Sequence, residues 1–529
     1  MLTLTLAAEL ACAPRSDPPE PETKAAEAPA PAEPSARLPR PFAPTPDERA
    51  ILYDPAELAE LPTSPSHLDI ALAPADRITL DRQQSLPDAP ADACLALDPA
   101  ALGPRLAGLG SLRISGCPAA AAASILAGAG GSLRSLELAN TTVDAALLEA
   151  VAALPDLEAL ALVRVTLAPA AGLPRQLATL ERLTLRELET DSALAGLIAR
   201  APRLRQLELI GAWAGHKAML EVDDAARLER LALIETRVGN FSLHQLKGLE
   251  RLTALEWRGA TFNDKSPLYV RELPIESLTC ACPSFGDGGL RHLRHLEGLR
   301  ELRLLQSTIT GAGLVAMGPM ARLTTVAIHE RDPGVDGLAA LAEQTALVSL
   351  ELIDAELADP SAQHLERLTG LTRLALRCPA FDDRGAARLS ALTHLEQLDL
   401  GGTQLSDRGL KHLAPLTELR TLKLHHTRIT NRGLASLEGL TRLEELELDH
   451  TDLVDEGVAH LAGLTALRSL RLDHTLVTDA GVAHLVELRA LERLNLSHTV
   501  VSAAGADQLA ALPALRVIGL EGTRAARGE

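Results

Sequence analysis

The chain has 529 residues, a formal net charge of −19 and only 2% aromatic residues. Its acidic balance, without basic runs, argues against a nucleic-acid partner, and so few aromatic side chains argue against the apolar cleft of an enzyme. No run of 18 apolar residues is present, so the sequence offers no membrane-spanning helix.

The chain opens with residues 1–12, MLTLTLAAELAC, an apolar run ending in Leu10, Ala11 and Cys12. This segment resembles the tail of a bacterial lipoprotein signal, in which the cysteine is lipidated and a flexible tether follows. That resemblance implies lipid on Cys12 and a place on the bacterial cell envelope. Two features depart from the pattern: no basic residue precedes the run, and Glu9 sits where a small or aliphatic residue is expected. The alternative is a plain cytoplasmic N-terminus. Residues 13–46 are rich in Pro, Ala and Glu and read as a disordered, semi-extended tether that cannot bury a core. Residues 47–108 follow as an N-terminal cap over the open edge of what comes next. Within and just before them, PDERAILYDPAELAEL (46–61) reads as a helix, with short apolar pieces at 76–80 and 93–97.

From Leu109 to the C-terminus the chain repeats itself. The frame Leu-x-x-Leu-x-Leu-x-x-Thr begins at Leu109, Leu133, Leu157, Leu180, Leu204, Leu228, Leu252, Ile275 and Leu299, and continues through Leu323, Leu347, Leu371, Leu395, Leu419, Leu443, Leu467, Leu491 and Leu515. These 18 units are separated by 24 residues in 15 intervals and by 23 in two. So regular a register is the signature of stacked structural repeats. Within a unit, the pair Leu398 and Leu400 alternates with polar neighbours and reads as a short strand with one buried face. The second half changes period: Leu410, Leu413 and Leu416 lie three apart, as on a helix face, with Ser406 or Thr430 placed to cap its start. One such coil cannot bury its own leucines, whereas stacked coils share a continuous core. At a strand spacing of about 4.8 Å the 18 coils predict a parallel ladder roughly 80 Å long.

Position nine is Thr at 403, 427, 451, 475, 499 and 523, where a hydroxyl is expected to bond the neighbouring coil. Gly409, Gly433, Gly457, Gly481 and Gly505 recur once per unit beside the helix start, where they would permit close backbone approach. The pattern LxxLxLxxTxxTDxGLxxLxxL resembles the leucine-rich repeats of bacterial envelope proteins, of F-box adaptors and of ribonuclease inhibitor. The likeness is strongest over 392–523 and weakest over 168–300, where Pro283 replaces the threonine. It implies an α/β right-handed solenoid, a horseshoe with parallel strands on the concave face and helices on the convex face, filling 109–529. It also implies a surface for macromolecules without naming the ligand.

Cys12, Cys94, Cys117, Cys280, Cys282 and Cys378 contain no C-x-x-C pair and read as buried structural thiols. No HExxH, Gly-x-Ser-x-Gly or phosphate loop occurs, so neither an enzyme nor a cofactor is expected. Histidines 426, 450, 474 and 498 each precede the recurrent Thr, and Asp449 and Asp473 stand one residue earlier. Stacking would set these imidazoles in a row, either a solvated ladder copied with the repeat or a pH- or metal-responsive rim. The expected partner is a protein, docked where position seven is apolar: Ile210 and Ile234, followed along the ladder by Arg258, Leu305 and Ile353. Trp213 and Arg237, at the rim position beside these isoleucines, complete a set with the composition of an interface anchor. The alternative packs Trp213 inward. The last strand, around 515–520, also leaves an open edge through which the chain could self-associate. The resulting expectation is a non-catalytic protein-binding scaffold, with a cytoplasmic adaptor as the alternative.

Overall fold

Each of the 18 frames forms one strand, from Ser111–Ser115 to Val517–Gly519, and each strand pairs in parallel with that of the next frame. The computed structural model describes residues 49–52, 67–71, 109–128, 130–167, 176–188, 196–211, 219, 221–222, 225–355, 357 and 359–527. All of these lie in the unit Pro39–Glu529. The sheet has 20 strands, because two more precede the repeats. Arg49–Leu52 pairs with His67–Ala71, which pairs with Ser111–Ser115. Where a helix was expected over 46–61, part of the segment is therefore strand. The first repeat strand would otherwise leave a row of backbone donors and acceptors unpaired, and continuing the ladder satisfies them. Residues 1–48, with the signal-like segment and tether, and the apolar pieces 76–80 and 93–97 lie outside the described residues.

Leu398, Leu422, Leu446 and Leu470 face one another in register, and Leu398, Leu400, Leu422, Leu424, Leu446 and Leu448 are all buried. A one-residue slip would turn every one of them outward, so the leucine frame specifies the pairing. The two 23-residue intervals leave the register unbroken, with Ala159 opposite Arg182 and Ala254 opposite Ser277; the missing residue is taken from the return path.

On the other side of the core, helices such as Ala145–Ala152, Gly334–Ala342 and Asp383–Leu389 bury their apolar stripe. In several later coils the expected helix is shorter. Asp407–Leu410 and Asn431–Leu434 are single α turns, continued by 3-10 turns at Lys411–Leu413 and Ala435–Leu437. A 3-10 turn rises about 2.0 Å per residue against about 1.5 Å for an α-helix, so it covers more of the return path in the same residues.

The recurrent S/T-D-x-G motif joins one coil to the next. Asp407 accepts from the Thr430 backbone N–H at 2.8 Å and from the Thr430 hydroxyl at 2.7 Å. Asp383 does the same for Ser406, Asp455 for Thr478, Asp479 for Ser502 and Asp287 for Thr310. The glycine of the following coil makes room for this carboxylate: a Cβ on Gly433 would sit 2.5 Å from Asp407 Oδ1. Ser406 and Thr478 also cap their helices, whereas the Thr430 side chain makes no cap bond.

Position eight carries the sharpest turn. In sixteen of the eighteen coils its φ is positive, at eleven non-glycine residues and five glycines. This left-handed residue ends the strand while its N–H still reaches the next coil, as Glu235 N–H does to Arg258 O at 3.0 Å and His450 N–H to Asp473 O at 3.0 Å. The two exceptions, Cys282 and Cys378, stand before Pro283 and Pro379, and a residue before proline is pushed to extended backbone. Because position eight doubles the chain back, the position-nine hydroxyl meets its own coil. Thr403 donates to Leu400 O at 2.7 Å, and Thr427, Thr451, Thr475, Thr499 and Thr523 repeat the bond three residues back. The expected bond to the neighbouring coil is made instead by Thr141, to Cys117 O.

Two stability predictions follow from this geometry. Gly433→Ala should destabilise by about 1–3 kcal/mol through overpacking, and most of that cost should disappear in an Asp407→Ala background, because the carboxylate that creates the clash is gone. Denaturant melts of the double-mutant cycle check this; additive costs would contradict the coupling. At position eight, Gln306→Val should cost about 1–2 kcal/mol, since β-branching fits the left-handed region worst, while Gln306→Gly should be neutral or stabilising in the same melts.

Candidate functional site

The strand register sets the position-seven side chains side by side. Ile234 lies between Ile210 and Arg258, and Arg186 flanks Ile210 on the other side. Arg258 neighbours Ala281, Ala281 neighbours Leu305, and Ile353 lies between His329 and Arg377. Ile210, Ile234, Arg258, Leu305 and Ile353 are all half-buried. They share one row without forming one apolar patch. Arg258 interrupts it and is paired with Glu256 at 2.5 Å; His329 interrupts it again and meets Glu351 at 2.8 Å. The His329 contact holds the Glu351 carboxyl below its ordinary value. Arg237 is exposed at the rim, while Trp213 lies outside the described residues, as does Cys12. The other tryptophan, Trp257, is a core residue, fully buried and stacked on Phe262 with ring centroids 5.6 Å apart.

Positions three and five of the concave face are mostly polar and paired across coils. Arg113 meets Glu137 at 3.1 Å and Lys423 meets Glu447 at 2.8 Å, while Arg303 meets Glu301 at 2.6 Å within one strand. A depression of about 430 Å³ over the first repeat strands is lined by Arg113, Glu137, Arg182 and Glu208 among others, so it is charged rather than apolar.

The four histidines of position eight do form a row. Ring centroids of His426 and His450 are 4.1 Å apart, those of His450 and His474 4.1 Å, and those of His474 and His498 4.4 Å, all stacked. Their φ values of 54° to 57° place every ring off the same left-handed turn. Beneath them Asp449 and Asp473 are buried, at 4% and 5% exposure. Asp449 Oδ2 lies 3.3 Å from His450 Nδ1, and Asp473 Oδ2 lies 3.3 Å from His474 Nδ1. Burial pushes the His426 imidazole below its ordinary value, with His450 and His425 adding to the effect and Asp449 and Asp473 opposing it.

Arg471 and Asn495 join this cluster although the recurrent histidines and aspartates do not point to them. Arg471 Nε is 3.6 Å from Asp449 Oδ1 and 3.3 Å from Asp473 Oδ1, and Asn495 donates to Asp473 Oδ1 at 2.8 Å. The period-two rule could have found them, since position five shares a face with position seven. Among the cysteines, Cys280, Cys282 and Cys378 are free and buried. Burial raises the Cys280 thiol and pushes Cys378 up to about 12, so both stay protonated and inert. Cys117 departs from the expected free thiols: it is disulfide-bonded.

Known proteins share this architecture. The family model described as a leucine-rich repeat matches residues 391–414, the length of one coil. The crystal structure of a TLR13–ssRNA13 complex is similar at a TM-score of 0.56 and 20% identity, covering 79% of this chain and 64% of that one. This chain therefore spans less than two thirds of the TLR13 chain. The mouse RP105/MD-1 complex is similar at a TM-score of 0.51 and 17% identity, over 79% of this chain and 87% of that one. A leucine-rich-repeat protein of Leptospira interrogans covers 74% of this chain and 97% of its own, at 17% identity and a TM-score of 0.45. No curated protein sequence matches. At such identities the shared property is the fold. By its repeat, its strand register and its parallel α/β solenoid, the chain is a leucine-rich-repeat protein.

Proposed function

We propose that the chain is a non-catalytic scaffold that holds a protein partner against its concave face, anchored at Ile210 and Ile234 and continued by Arg258, Leu305 and Ile353. The observation that carries this reading is the pairing of Ile210 with Ile234 in register, half-buried, between Arg186 and Arg258. Aliphatic side chains flanked by arginines in a face of otherwise paired charges have the make-up of an interface core with a polar rim. Trp213 and Arg237 follow three residues after these isoleucines and would extend the anchor. The concave carboxylates and bases are engaged with one another instead of converging on a reacting centre, which favours binding over catalysis.

We further propose display on a bacterial envelope through lipid on Cys12. The Cys117 disulfide supports this location, since such bonds form and persist in oxidising compartments. A cytoplasmic adaptor is the alternative.

The double variant Ile210→Asp/Ile234→Asp should weaken partner capture from the native organism by about tenfold or more, while leaving thermal stability within about 1 kcal/mol, because both side chains are already part-exposed. Retained capture with a large loss of stability would make the pair core residues. Fractionation with a labelled lipid precursor checks the location: label should appear on the full chain and vanish in Cys12→Ala, whereas an unlabelled soluble chain would favour the adaptor.

A further inference from the structure

We propose that the histidine row is a binding site for a divalent transition-metal ion of the zinc, nickel or copper class, with His426, His450 and His474 as imidazole ligands set by the buried carboxylates Asp449 and Asp473. The donor atoms of His426, Asp449 and His450 lie within 4.8 Å of one another, as do those of His450, Asp473 and His474. His450 belongs to both groups and is the centre of the site.

The carboxylates give the row its direction. Each aspartate Oδ2 faces a ring Nδ1 at 3.3 Å in its own coil. A proton held on Nδ1 leaves Nε2 as the lone-pair nitrogen, and a carboxylate behind a ligating imidazole both fixes its tautomer and raises its basicity. The Oδ1 atoms face the opposite way, toward Arg471 and Asn495. Asp449 Oδ1 is buried with no hydrogen-bond partner, its nearest cation being Arg471 Nε at 3.6 Å. Two buried carboxylates beneath one guanidinium leave local negative charge for a cation to neutralise.

Two nitrogens bound at about 2.0–2.1 Å to one tetrahedral ion are about 3.3 Å apart. The rings are part-exposed, 36% for the His450 side chain and 43% for His474, so they can rotate out of the stack to converge. Imidazole nitrogen selects zinc, nickel or copper over calcium or magnesium, which prefer all-oxygen shells. Copying of a surface residue with the repeat explains a histidine in each coil but not the aspartates beneath two of them. Nor does the turn require histidine, since position eight elsewhere holds Asn140, Arg164, Glu235, Gln306 or Gly402 in the same backbone conformation.

The test is calorimetric titration of the full chain with zinc ion alone near neutral pH, repeated with cobalt ion to read the ligand field from its visible absorption. The chain should bind saturably, with excess calcium or magnesium failing to compete. His450→Asn keeps a side chain that tolerates the left-handed turn and should weaken binding by about tenfold or more, and Asp449→Asn/Asp473→Asn by about tenfold to a hundredfold. His484→Ala, on the convex helix Asp479–Leu485, should change nothing. Far-ultraviolet circular dichroism establishes that each variant is folded. Non-saturable binding by the full chain, unchanged binding in folded His450→Asn, or an equal loss in His484→Ala would each overturn the proposal. Because no partner protein enters the measurement, its outcome is independent of the concave-face reading.

Discussion

The structure depends on one hydrogen bond repeated along its length: the N–H of position eight reaching the position-seven carbonyl of the next coil, as in Asn140 to Val163 and His426 to Asp449. The bond is possible only because position eight turns left-handed, which ends the strand without losing its last rung. Everything downstream follows from that turn. The threonine of position nine is folded under its own strand, the S/T-D-x-G motif is delivered to the edge of the next coil, and the leucines stay in register. No coil satisfies its own backbone, so the unit of stability is the pair of neighbours and not the single repeat.

The same two positions carry both candidate surfaces. Position seven supplies the isoleucine row and the buried aspartates; position eight supplies the histidines. Their backbone groups are committed to the inter-coil bond, but their side chains are not, and this freedom lets adjacent coils present Ile210 and Ile234 in one region and Asp449 and Asp473 in another. A rigid ladder thus turns a choice of side chain into a choice of position along a row.

Much of this was legible in the residues. The leucine frame determined strand, face and register from Ser111 to Gly519, because a period-two pattern admits one buried face. The imidazole row was legible from the equal spacing of His426, His450, His474 and His498. Harder to read were contacts between different positions of successive coils. Nothing in the recurrence of Gly433 says that Asp407 of the preceding coil needs its space, since that contact joins position thirteen to position fifteen of the next unit. The threonine hydroxyl's own-coil bond is hidden in the sequence because the left-handed turn is hidden: eleven non-glycine residues adopt it, and nothing in Arg164 or Glu187 advertises positive φ. Strand Arg49–Leu52 looked helical because its short apolar run, Ala50 to Leu52, fits either period.

The exceptions at Cys282 and Cys378 have a mechanical meaning. They divide the left-handed turns into runs of seven, three and six coils. At each break the residue before proline lacks the left-handed turn, and its thiol is buried against a carbonyl of the preceding coil, Trp257 O for Cys282 and Leu352 O for Cys378. Within a run the position-eight N–H is turned toward the next coil, whereas at Cys282 and Cys378 the left-handed turn is missing and the side chain contacts the preceding coil instead. Pulled from its ends, such a molecule would yield at these seams, and the chain would extend in blocks of coils rather than one repeat at a time.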